Sequence, residues 1–531
     1  MKKYQKHASV YFIGALVSIL ISTVFAVVLQ FFKGDVLDSA IAGDTQTTLR
    51  YASILIAFIL CEILFYFGYR QFSARFVVGC TKLLKRDIFE SILKRGYVDY
   101  KTTPQGEYIA KYTNEADTIK ARRFQMLPLF WEILFKIIFV SVALFVLDWR
   151  LALITIGLLT TPLYIPKLIE KRLQNAQNAY LKAVEANLAK VNDWLSGFEI
   201  IKNFSIEKKI LSKFDDTNDF TMNKLLRDMT LGAVSQLITT LISYLSYFVV
   251  LSCATWLVLQ GDFSAGNFFV AIGMIDQLSY PLISLAEIIR QLVAIKPSCQ
   301  SMEKFIEKGN AARHGKPLTK LAREIRYRNV SFAYPDKKPV LTNFDFEAQK
   351  GGRYLIKGPS GCGKTTAINL LLRYYDVTDG SIEIDGVPLS EYCSTYDCMT
   401  VVRQEAVLFH DSLRNNLTMY KDIPDEKLIE MLQTLGLIKF AGKEALDGMI
   451  AENGANLSGG EKKRICLARA LLRDTDILIL DEPLANLDDT TAGMIEDLLL
   501  SIEGKLLLVV SHQFTEEKLS AFDCVLNLSK T

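Results

Sequence analysis

Six runs of mainly apolar residues fall before residue 300, at positions 9–32, 51–72, 127–147, 151–166, 231–259 and 268–289. A bilayer core takes about 20 such residues per helix, so each run reads as a membrane span. Asp148, Trp149 and Arg150 split the third and fourth runs, which predicts a tight hairpin, and Gln260, Gly261 and Asp262 split the fifth and sixth. At 50% hydrophobic residues and a mean hydropathy of +0.20, the 531-residue chain is too apolar for an ordinary soluble enzyme. The run after Lys2, Lys3 and Lys6 is longer than a signal-peptide core and lacks a small-residue cleavage site, so it is expected to stay as an anchor.

Basic residues orient the set, because Lys and Arg near span ends stay cytoplasmic. The N-terminal lysines and segments 75–123 and 167–227 are rich in Lys and Arg. The alternate connections are short and near neutral or acidic, as with Asp35, Asp38 and Asp44, so both termini are expected in the cytoplasm. The long basic segments keep helical spacing (Leu181, Val184, Leu188, Val191, Leu195), which predicts helices running past the membrane into the cytosol. The 61 basic and 58 acidic residues nearly cancel and give no nucleic-acid footprint, so no nucleic-acid partner is expected. Nine scattered cysteines suggest inert thiols rather than disulfides or zinc.

From residue 325 the pattern changes to short strands, turns and amphipathic helices, with strands expected at 325–332, 340–348 and 353–357 and a helix at 365–375. The expected division is a membrane domain at 1–299, a linker at 300–324 containing Gly309, Gly315 and Pro317, and a soluble α/β domain at 325–531.

The α/β domain carries the chemistry. GPSGCGKTT at 358–366 fits G-x-x-x-x-G-K-[ST] between a strand and a helix. Gly358, Ser360, Gly361, Gly363 and Thr366 belong to a loop whose backbone N–H groups wrap phosphates, Lys364 pairs β and γ oxygens, and Thr365 ligates Mg²⁺. An apolar strand at 476–480 delivers Asp481 to the metal and Glu482 beside it as the base that orients and deprotonates water. Between them LSGGE begins a helix: Ser458 caps it, while Gly459 and Gly460 leave N–H groups and the positive dipole end open to an anion.

With the phosphate loop, LSGGE and LDEP in that order, the domain resembles the nucleotide-binding domain of ATP-binding cassette (ABC) proteins. The resemblance implies that Tyr334 stacks on adenine, that Gln404 reaches the Mg²⁺ and the attacking water, and that His512 contacts the γ-phosphate. It further implies that Asp488 crosses a dimer interface and that each ATP lies between the phosphate loop of one cassette and the Ser458–Gly460 helix start of another. With one cassette per chain, a working assembly needs a second half-transporter, as homodimer or heterodimer. Glu461 departs from the family's usual Gln. Ser458-x-x-Glu461 can form a capping box, yet a carboxylate about 8 Å from a partner's γ-phosphate repels it by on the order of 2 kcal/mol per unit charge at an effective dielectric near 20. The signature is therefore either tolerant or part of a weaker site.

Six spans, long cytosolic extensions and one cassette resemble an exporter-type half-transporter: an all-α six-helix membrane domain of the type I exporter (type IV ABC) fold followed by an α/β P-loop NTPase cassette. Segments 106–120 and 196–209 resemble its two coupling regions. Asp276, Gln277 and Tyr280 in the sixth span, with Gln236, Thr240, Ser243 and Tyr247 in the fifth, are candidates to line a cavity or to bond between helices. Glu132 and Lys136 read as an i,i+4 ion pair. No protease domain precedes the first span, so leader-peptide cleavage is not expected. The resemblance implies ATP-driven export of a hydrophobic, amphipathic or peptide compound across a bacterial plasma (inner) membrane, with ATP and Mg²⁺ as cofactors and the lipid bilayer as surroundings. The alternatives are an exporter-shaped importer of a chelate or other small molecule, and an ATP-regulated subunit that does not transport.

Overall fold

The computed structural model describes all residues except 162–164, 311–314, 336–337, 360, 486 and 530–531. The chain forms two compact units, one of Met1–Ile92 with Gln105–Glu307 and one of Leu93–Pro104 with Lys308–Thr531.

The first unit is helical. Its principal helices are α1 (Ser9–Ile41), α2 (Thr45–Leu93), α3 (Met126–Leu147), α4 (Trp149–Leu159), α5 (Ile165–Ser196), α6 (Glu207–Leu259), α7 (Ala265–Ala294) and α8 (Lys296–Asn310). Among the described residues five helical stretches are long and apolar enough to cross a membrane, and Trp149–Leu158 is a shorter apolar helix. The expected fourth span, 151–166, runs through residues 162–164, which lie outside the described residues. At 49 and 53 residues, α2 and α6 measure about 74 and 80 Å at 1.5 Å per residue, well beyond a hydrocarbon core of about 30 Å. That excess supplies the length the sequence expects of their cytosolic ends.

The expected breaks fall where the chemistry requires them. Asp148 caps α4 by accepting from the Leu151 N–H at 2.9 Å, and Arg150 bridges it to Asp262. Asp38 of α1 accepts from the Gly266 N–H and the Ser264 hydroxyl, both at 2.6 Å, at the start of α7. A side chain at Gly34 would meet Val270 at 2.6 Å, so close approach of α1 to α7 depends on that glycine. Glu132 and Lys136 pair at 2.8 Å.

Two stretches differ from the sequence expectation. The linker is expected from residue 300, but α8 continues to Asn310, because Met302, Phe305 and Ile306 share one face and pack in a cluster with Ile88 and Leu84 of α2. Segment 106–120, expected as a coupling region, lies in the first unit, with its Ala116 and Ile119 in the same core. The stretch of this connection that clusters with the cassette residues is Leu93–Pro104.

In the second unit a four-stranded antiparallel sheet contains β1 (Glu324–Ala333), β2 (Pro339–Gln349) and β4 (Asp379–Ile384), joined by Val387–Pro388 at its edge. A parallel sheet runs in the order β8 (Cys524–Asn527), β3 (Arg353–Lys357), β7 (Leu506–Val510), β6 (Ile477–Asp481), β5 (Met399–Val402). β6 and β7 are buried at every position, which explains apolar sequences broken only by Asp481 at the end of β6, whereas exposed and buried residues mostly alternate along β2. Helices α9 (Lys364–Leu371), α10 (Gly459–Leu472) and α11 (Asp489–Leu500) complete the parts that matter for the site.

Candidate functional site

The parallel register brings the C-terminal ends of β3, β6 and β7 level, with Val510 opposite both Ile356 and Asp481. Residues following those ends therefore converge, as open parallel sheets require of their ligand crevices. A cleft of about 810 Å³ opens there, lined by Tyr334, Gly358, Gly361, Gly363, Lys364, Thr365, Thr366, Gln404, Asp481, Glu482 and His512, among others. Ser360 lies outside the described residues.

The loop before α9 turns on glycines at positive φ: Gly358 at 152°, Gly361 at 81° and Gly363 at 101°. A Cβ at Gly363 would strike Leu341, so neither the backbone angle nor the space admits a side chain. Lys364 Nζ donates to the carbonyls of Gly358 (2.7 Å) and Pro359 (3.1 Å), which holds the ammonium at the loop mouth. The Thr365 hydroxyl donates to Asp481 Oδ2 at 3.3 Å. Tyr334 hydrogen-bonds to Thr366 at 3.1 Å and packs edge-on against Phe332 and Tyr375.

The two acids are buried, Asp481 at 5% and Glu482 at 8% exposure. Burial pushes the Asp481 carboxyl above its ordinary value, with the Arg403 guanidinium opposing that shift from 3.8 Å. Glu482 adopts φ 53°, a left-handed angle unusual for a residue with a side chain. It is pinned on both sides: its N–H donates to Val510 O at 2.8 Å, and its carbonyl accepts from Lys463 Nζ. Glu482 Oε1 bonds His512 Nδ1 at 2.9 Å, while Oε2 is buried and has no partner among the described residues. A buried acceptor without a donor costs roughly 1–3 kcal/mol. Such an acceptor can take a proton from a ligand such as water. The paired Thr365 hydroxyl and Asp481 carboxylate are hard oxygen donors, and buried negative charge of this kind fits a divalent cation such as Mg²⁺.

Ser458, Gly459, Gly460 and Asp488 are not in this cleft. Ser458 caps α10, accepting from the Glu461 N–H at 3.2 Å while Glu461 accepts from the Ser458 N–H at 2.9 Å. The Glu461 carboxylate also meets Lys439 Nζ at 2.7 Å, and that ammonium holds it below the ordinary Glu value. Gly459 is exposed. Asp488 caps α11 through the Thr491 N–H at 3.0 Å and accepts from the Thr490 hydroxyl, bonds that keep its carboxyl well below the usual range.

Two residues with no motif of their own matter here. Lys463 is 6% exposed and donates to the carbonyls of Glu482 and Ala485 (3.1 Å for the latter), with burial pushing its ammonium below the ordinary Lys value. Its i, i+4, i+7 relation to Leu467 and Ala470 placed it on the buried face of α10. Arg403, beside Gln404, donates to Asn369 Oδ1 at 2.7 Å and stands 3.8 Å from Asp481. No spacing in the sequence joins residues 369, 403 and 481.

A glycine-turned phosphate loop facing adjacent acids at the end of a buried parallel strand defines a P-loop ATPase, and the apolar helices place it on a membrane. The family described as ABC transporter transmembrane region matches residues 10–282, and the ABC transporter family matches residues 341–485. The chain belongs to the ABC transporters, as a half-transporter of exporter type whose ATP hydrolysis is coupled to transport. It is 26% identical to an ATP-dependent lipid A-core flippase of Photobacterium profundum, over 81% of this chain and 75% of the relative. It is 27% identical to the multidrug resistance-like ATP-binding protein MdlB of Buchnera aphidicola subsp. Schizaphis graminum, over 87% and 81%. Its fold is similar to that of a bacterial Atm1-family ABC exporter solved with ATP bound, with TM-score 0.78 at 21% identity, covering 99% of this chain and 94% of that one.

Proposed function

We propose that this half-transporter pairs with a second one, identical or different, and exports a hydrophobic or amphipathic compound (a drug, lipid or peptide) by alternating access. The relatives it is similar to, a lipid A-core flippase and a multidrug resistance-like protein, support that substrate class. The membrane domain occupies residues 1–299 and the cassette 325–531, with both termini on the cytosolic side of a bacterial plasma membrane.

The observation that carries the hydrolytic half of this reading is the convergence of the loop, Asp481 and Glu482 on one cleft. In it, Tyr334 would stack on the adenine, the backbone of Gly358, Gly361 and Gly363 with Lys364 would hold the phosphates, and Thr365, Asp481 and Gln404 would hold Mg²⁺. The cation, when bound, offsets charge on the phosphate oxygens. Glu482 Oε2 accepts the proton of the attacking water, and His512 fixes the Glu482 carboxylate through Oε1. Ser458, Gly459, Gly460 and Asp488 serve the ATP of the partner, which suits the exposure of Ser458 and Gly459 at the helix start. Closure of two cassettes around ATP opens the spans outward, and hydrolysis resets them. The short helix Phe198–Asn203, with Phe198, Ile200 and the following Phe204 exposed, is a suitable contact for a second chain's cassette. Exposed Asp276 is a candidate counter-charge for a cationic amphiphile.

Native mass of the purified complex, with both chains identified, tests the pairing. Transport into inside-out vesicles on adding ATP tests the direction, and uptake in the opposite sense only would overturn export.

A further inference from the structure

A short helix, Tyr97–Thr102, stands in the same compact unit as the cassette. It follows directly in sequence on α2, which ends at Leu93. The Tyr97 ring stacks on Tyr374 with centroids 3.8 Å apart and planes 8° from parallel. The Arg403 guanidinium lies over the Tyr374 ring at 5.3 Å. Arg403 in turn donates to Asn369 of α9 at 2.7 Å and reaches Asp481 Oδ2 at 3.8 Å. Asp99 of the same short helix pairs with Lys308 at 3.0 Å, a second tie that fixes where Tyr97 sits.

A flexible, half-buried arginine does not hold a defined place by itself. Here the planar cation is set between an aromatic face and an amide oxygen, with Nη1 turned to the buried acid at 3.8 Å. We propose that Arg403 is a positioning residue for Asp481, and that the Tyr97–Tyr374 stack sets where its guanidinium stands. The stretch that follows the second long helix and the metal-binding acid thus share one side-chain path. The inference rests on the reading of the cleft as a Mg²⁺–ATP site. Removing Arg403 takes a positive charge away from the acid that binds the metal, so metal affinity rises while the placement of the metal, and with it turnover, suffers.

The test uses the full chain in lipid nanodiscs, with Mn²⁺ titrated in the presence of a non-hydrolysable ATP analogue and followed by electron paramagnetic resonance, alongside steady-state hydrolysis. Arg403→Gln is expected to bind Mn²⁺ about three- to tenfold tighter and to lose about tenfold in kcat at an ATP KM within about twofold of the parent. Arg403→Lys keeps the charge without the planar face, so its Mn²⁺ affinity stays at the parent level while kcat falls. Tyr97→Ala lowers kcat about threefold in the parent and not further in Arg403→Gln, the non-additivity expected of one path. Tyr97→Phe, which keeps the stack, retains parent activity. Should Arg403→Gln not fold, Tyr374→Leu against Tyr374→Phe carries the same comparison, with only Leu losing kcat. Unchanged Mn²⁺ affinity in Arg403→Gln, or additive losses with Tyr97→Ala, overturns the inference. A parent protein that binds no Mn²⁺ with the analogue would instead overturn the nucleotide reading itself.

Discussion

The two ends of the stretch 457–488 are built in opposite ways. At its C-terminal end Asp481 and Glu482 are buried, the Asp481 carboxyl is pushed up by desolvation, and one Glu482 oxygen lacks a donor among the described residues. At its N-terminal end Ser458 and Glu461 satisfy each other, Lys439 neutralises the carboxylate, and Gly459 faces solvent. One end leaves a buried oxygen without a donor among the described residues; at the other the charged and capping groups pair with one another. Unsatisfied buried groups are costly, so they persist where a bound state repays them. The contrast fits the proposal that each ATP lies between two chains.

The sharpest way to break the contrast is at Glu482. Glu482→Gln is expected to lower ATP turnover by at least about 100-fold with nucleotide binding retained, read by steady-state hydrolysis and fluorescent-ATP binding. Near-normal hydrolysis would remove Glu482 from the role of base. Next in size is Lys463→Met, which strips the donor from the carbonyls of Glu482 and Ala485. It is expected to cost about 2 kcal/mol of cassette stability and about tenfold in kcat. A thermal scan that shows no change would mean the buried ammonium is incidental.

Smaller effects belong to the signature end. Lys439→Met unmasks the Glu461 carboxylate and is expected to raise the KM for ATP about threefold. Adding Glu461→Gln to it should restore the parent value, and persistence of the defect in the double variant would show that Lys439 acts by some route other than charge. The smallest effect is on stability. Lys439 is largely exposed, so the pair contributes no more than about 0.5 kcal/mol. Because the folded Glu461 value is depressed, that contribution is present above the unfolded carboxylate value and lost as pH falls through the folded one. The stability gap between parent and Lys439→Met, measured by denaturation, should therefore close on going from neutral pH to strong acid.

The signature end also shows how far the sequence could be read. Ser458-x-x-Glu461 announced its own capping box, because the two partners lie within one helical turn. Lys439, which decides the charge there, lies 22 positions upstream and had no spacing to reveal it. The same holds in the cleft: the phosphate loop and the two acids are local patterns, whereas the His512 bond to Glu482 exists only once β7 pairs with β6, and the Lys463 bonds to two carbonyls only once α10 packs in the core with those strands. The stretch before residue 310 reads as linker in the sequence because Gly309 and Gly315 mark a break, while the apolar face of Met302, Phe305 and Ile306 finds its partner in α2 only on folding.

The sequence by itself determined five of the membrane-length apolar helices, the order of membrane part and cassette, and the positions of the glycine-rich loop and the adjacent acids, since each depends on runs or spacings of neighbours along the chain. Only the tertiary structure decided which of those residues meet. It set the acids beside Arg403, Lys463 and His512, placed Tyr97 on Tyr374, and left Ser458 and Gly459 outside the cleft. The reason is the parallel sheet, whose register brings strand ends from residues 356, 481 and 510 to one level and so joins positions far apart in sequence.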